Sequence, residues 1–166
     1  MPPLVAAMIS LGVLGAIDTY ITATLFPVPV WVTFIAWASF FACGGGQAGL
    51  IKSVASNWTG IAIASFTLLI IQFGPENPVF AATLVGAGTS AMVLASAVPA
   101  LNFTPAVVFG FASLVGTPAA TDTTILTSGP FHPTLVAMAA MLLGGIFGFI
   151  SELGTRLLPG SKAKTA

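Results

Sequence analysis

Charge is what this sequence has least of. Of 166 residues, four are Lys or Arg and four are Asp or Glu, 5% in all, against about a quarter in an ordinary soluble domain. So few charges cannot keep a folded surface dispersed in water, which excludes a water-soluble enzyme. The formal net charge is zero, so the basic footprint that binds a phosphate backbone is missing and no nucleic-acid partner is expected. Cysteine and histidine are as scarce, with one of each, Cys43 and His132. One cysteine forbids an internal disulfide or a Cys-based cluster, and one histidine forbids a multi-His metal site within the chain. No metal or other cofactor is expected.

Apolar residues dominate what remains. They are 57% of the chain, and mean hydropathy is +1.06. The composition predicts an all-α integral membrane protein, a single transmembrane domain in contact with membrane lipid. Spans of about 20 apolar residues fit six times into this length with short links. Pro, Gly and polar punctuation sets them at 4–26, 30–43, 58–73, 79–98, 105–116 and 134–158. Between them, 47–56 reads as an amphipathic connector and 119–133 as a polar loop. No Lys or Arg precedes the first apolar run, which is long enough to span, so it is expected as a retained helix rather than a signal peptide.

The basic residues give an independent check on six spans. Arg156, Lys162 and Lys164 put the C-terminus and its tail, 159–166, in the cytoplasm by the positive-inside rule. Six spans then put the N-terminus and Lys52 on the same side, and leave Glu76 and Asp122 in external loops.

The second half echoes the first. Val5-Ala6-Ala7 lies 75 residues before Phe80-Ala81-Ala82, and Trp37-Ala38-Ser39 lies 74 before Phe111-Ala112-Ser113. Thr59, Ala62, Ala64 and Leu68 match Thr134, Ala137, Ala139 and Leu143 at 75. The repeats are expected over about 4–73 and 79–150. An odd number of spans per unit inverts the second unit, so the expected architecture is two inverted three-helix repeats. Helices 2 and 5 are the expected short members, each bounded by Gly or Pro, a sequence pointer to a transport site.

Asp18 is the sharpest candidate, since a carboxyl within a span faces a cavity or a partner, or ends a polar helix terminus. Ser39 and Ser113 are repeat-matched hydroxyls suited to hydrogen-bonding a polar solute, or to packing between helices. Trp37 and Phe111, beside them, would narrow a path, and Thr117 completes the expected lining. Gly44-Gly45-Gly46-Gln47-Ala48-Gly49 lacks the Lys-Ser/Thr ending of a phosphate loop, so its glycines serve a turn or close packing. Small residues at i, i+4 spacing (Ala140, Gly144 and Gly148; Gly86 and Ser90) allow close helix contact and a homo-oligomer.

Trp37-Ala38-Ser39-Phe40-Phe41-Ala42-Cys43-Gly44-Gly45-Gly46 and Phe109-Gly110-Phe111-Ala112-Ser113, in a six-span layout, resemble a family of small bacterial inner-membrane proteins catalogued as domain of unknown function 1097. The resemblance implies a bacterial inner membrane and supplies no catalytic residues. The function expected is a channel or transporter for a small neutral or weakly polar solute. The alternative is a non-transporting subunit that assembles or stabilises a larger membrane complex. No Ser–His, metal or paired-carboxylate arrangement suggests an enzyme.

Overall fold

The computed structural model describes residues 2–158, and the tail with Lys162 and Lys164 lies outside them. Among the described residues the chain is all-helical: α1 (Pro3–Thr24), α2 (Val30–Ala42), α3 (Gly46–Phe73), α4 (Pro78–Ala95), a short 3-10 turn (Pro99–Leu101), α5 (Thr104–Thr121) and α6 (Pro133–Leu157). Five of these are long and apolar enough to cross a membrane. The exception is α2, with 13 residues. The protein is a multi-pass membrane protein by the length and composition of its helices.

Local sequence explains the helix starts. Pro3, Pro78 and Pro133 occupy first-turn positions, where a missing N–H costs nothing. Asn77 Oδ1 accepts from Val79 N at 2.8 Å, and His132 Nδ1 accepts from Thr134 N at 3.2 Å. The start of α3 has no such local cap. Gly44, Gly45 and Gly46 all take left-handed φ, at 101°, 66° and 63°, a run that side chains disfavour. The chain thereby reverses within three residues, and Gly46 N donates to Glu152 Oε2 of α6 at 2.6 Å.

Two expected elements are corrected. The segment 47–56 is no connector but the first third of α3, which runs unbroken for 28 residues. The glycine turn delivers the chain directly into a helix, and the Glu152 carboxylate satisfies that helix's first N–H. Helix 5 is not short either. It has 18 residues and continues through Pro118 to Thr121. Pro118 removes one backbone bond, but the helix continues to Thr121 and stops where Asp122 adopts left-handed φ of 50°. Of the two helices expected to be short, only α2 is.

The closest packing is α2 on α6 and α5 on α3, with α1 flanking α6 and α4 flanking α3. Glycine sets both close contacts. A Cβ at Gly144 would fall 2.0 Å from Thr33 O, and one at Gly60 would fall 1.8 Å from Val107 O. A Cβ at Gly110 would meet Asn57 O at 1.8 Å. The core between these helices is apolar, with Val32, Ile61, Val107, Leu114 and Met141 fully buried. The outer helices α1 and α4 leave Leu4, Met8, Val13, Val79 and Val93 exposed, as lipid-facing helices do.

Pro3, Ala7 and Phe41 line one groove with Glu152 and Arg156. The start of α1 and the ends of α2 and α6 therefore share one end of the bundle, and the Glu152 bond brings the start of α3 there too.

Candidate functional site

Asp18 lies two turns before the end of α1 and is fully buried. The polar residues around it are satisfied locally. Thr19, Thr22 and Thr24 each donate to the carbonyl one turn back, Thr22 to Asp18 O at 2.8 Å. The carboxyl does not end a solvated helix terminus. It turns inward onto α2, where the Thr33 hydroxyl bonds Asp18 Oδ2 and lies 2.7 Å from Val30 O. Asp18 Oδ1 is buried with no partner in the protein. Asp18 also has no ionic partner, since among the described residues the salt bridge is Arg156 with Glu152, within α6.

One turn beyond Asp18, Thr22 lines a cleft of ≈ 370 Å³. Residues 27–29 form one wall, α5 contributes Ala120 and Thr121, and Val136 closes it from α6. The cleft thus lies where α1, α5, α6 and the residues leading into α2 meet, and the buried Asp18 stands one helical turn before Thr22 on α1.

A second polar group lies between α2 and α3. Ser39 Oγ donates to Asn57 Oδ1 at 3.0 Å, Ser53 Oγ donates to Ser39 Oγ at 2.9 Å, and Asn57 Nδ2 donates to Ser53 Oγ at 3.3 Å. The three close a ring, each donating once, and all are fully buried. Cys43, in the turn below, lies beside Ser39 and Lys52. Burial pushes its thiol above the ordinary value, and the Lys52 ammonium and Ser39 hydroxyl draw it back only part of the way. A thiol so placed is a poor nucleophile.

The structure separates the other expected lining residues. Ser113 is fully buried on α5 with an unpartnered hydroxyl, and no hydrogen bond joins it to Ser39. Thr117 donates to Ser113 O at 2.7 Å. Trp37 Nε1 donates to Ser151 Oγ at 2.9 Å, while Ser10 Oγ donates to Ser151 O at 2.9 Å, stapling α1, α2 and α6 together. Phe111 packs in the apolar core. Sequence reasoning missed Thr33, Ser53 and Ser151. For Ser53 a signal was present, because Ser53, Ser56, Asn57 and Gly60 recur at helical spacing on one stripe of α3.

A family described as "Protein of unknown function (DUF1097)" matches residues 8–156. The chain belongs to this family. That span takes in Asp18, Thr33, the hydroxyl ring and the cleft residues. A similar protein is the uncharacterized protein YahC of Escherichia coli (strain K12), 45% identical over 38 residues. The matched stretch is 23% of this chain and 23% of the length of YahC. No solved structure matches.

Proposed function

We propose that this protein is a channel or transporter that passes a small neutral or weakly polar solute across the bacterial inner membrane, with both termini cytoplasmic. The observation that carries this is Asp18 and Thr33 meeting at the first turn of α2, one helical turn along α1 from the cleft residue Thr22. With 13 residues, α2 rises about 20 Å, short of a hydrocarbon core of about 30 Å. Its other end lies level with the start of α1, so its first turn starts below the opposite surface. Non-helical backbone at that depth is tolerated where it lines a cavity, as residues 27–29 do here. A helix end within the membrane, beside a buried polar side chain, is a common way to build a solute site.

The packing supports two inverted repeats, with one change of register. Thr33 and Val107 are repeat-matched at 74 and make the same close approach, one to Gly144 and the other to Gly60. Those glycines stand 84 apart, not 75. Trp37 bonds Ser151, and its match Phe111 shares contacts around Gly88 with Thr67, again 84 before Ser151. The third helices therefore align at 84, and the difference accumulates in the longer α5 and in the 122–132 link that replaces the glycine turn.

Reconstitution into liposomes tests the function. Under osmotic gradients of small neutral solutes such as amides and protonated short acids, the wild type is expected to speed volume change over empty vesicles. Asp18→Ala lowers that rate at least about tenfold, a barrier change of about 1.4 kcal/mol, whereas Asp122→Asn leaves it unchanged. If the folded wild type matches empty vesicles for every solute, transport is wrong and a subunit role takes its place.

A further inference from the structure

We propose that Asp18 is a reversible proton-binding site, held in its acid form in the arrangement seen here. Two acceptors converge on one hydroxyl, because Thr33 Oγ1 is within hydrogen-bond distance of both Asp18 Oδ2 and Val30 O. The hydroxyl carries a single proton and can satisfy only one of them. A proton on Asp18 Oδ2 completes the chain: Oδ2–H donates to Thr33 Oγ1, and Thr33 donates to Val30 O. The same proton accounts for Oδ1. That atom is buried without a partner, which a neutral carbonyl oxygen tolerates far better than half of a carboxylate does.

Among the described residues, no cation pairs with Asp18 in place of the proton. Asp18 is the only charged-type residue in α1, and α2 contains none. On α6, Arg156 is paired with Glu152, and Glu152 also holds Gly46 N, at the end of the bundle where α1 begins. His132, at the other end of α6, bonds Ile125 O and Thr134 N. Tyr20 on α1 is exposed, and α5 carries no charged residue. Release in this proposal runs from Oδ2 to water entering the cleft that Thr22 lines one turn away, leaving the carboxylate, and return takes the same path.

This deepens the transport reading by making movement through the cleft proton-dependent, but it is tested without any solute. Infrared difference spectroscopy is recorded on the purified protein labelled with 13C-aspartate. The label falls on two residues, Asp18 and the exposed Asp122. We expect a label-shifted C=O band of a protonated carboxyl at neutral pH. It should decline as pH rises at fixed sodium, disappear in Asp18→Asn, shift in Thr33→Val and persist in Asp122→Asn. If Asp18→Asn does not fold, the Thr33→Val shift still assigns the band. No such band at neutral or acid pH in folded protein overturns the proposal, and so does a band that falls with added sodium at constant pH. Liposomes that move no solute would leave the band untouched, so the two claims fail separately.

Discussion

Three glycines hold this bundle at its narrowest. Gly60, Gly110 and Gly144 each face a carbonyl that a Cβ would strike at 1.8, 1.8 and 2.0 Å respectively. Backbone atoms cannot rotate away as a side chain can, so relief requires whole helices to separate. Each Gly→Ala change is expected to cost about 1–3 kcal/mol through overpacking. Gly12→Ala, where nothing lies within 4 Å, should be neutral or gain up to about 1 kcal/mol of helix propensity. Unfolding in detergent by heat or SDS measures the contrast, and equal effects at Gly12 and Gly144 would contradict the packing described. Asp18 was legible in the sequence because a carboxyl in an apolar run is conspicuous. Its partner was not, because Thr33 is one of many hydroxyls and nothing local marks which of them folds onto α1.

Among the elements, the apolar runs located every helix, and punctuation misjudged two of their ends. Pro118 reads as a stop, yet α5 passes through it. The segment 47–56 reads as an amphipathic connector, yet Ser53 and Ser56 are fully buried on α3. Polarity on a helix signals water only when no other helix covers it, and that information is tertiary. The small-residue spacings divide in the same way. Gly144 and Gly148 are filled by α2, against Thr33 and Phe40. Gly86 and Ser90 on α4 remain exposed, with nothing near Gly86.

For the molecule as a whole, composition alone fixed the class, since eight charges in 166 residues leave the membrane as the only solvent that suits the chain. The repeat proposed above rests on matches through the second helices; in the third, alanine-rich matches at 75 compete with a packing correspondence at 84. On that proposal, a tight glycine turn before α3 and an 11-residue link, 122–132, before α6 account for the difference. What the whole fold adds is a cleft one helical turn from a buried acid, and the proposed pathway requires water to reach that cleft. The most direct test is thiol accessibility in sealed right-side-out vesicles, in a Cys43→Ala background. Thr22→Cys and Val28→Cys should react with a membrane-impermeant reagent added outside, while the lipid-facing Val13→Cys stays unmodified. Absence of outside labelling at both cleft positions in folded protein, or labelling from the cytoplasmic side alone, would contradict it.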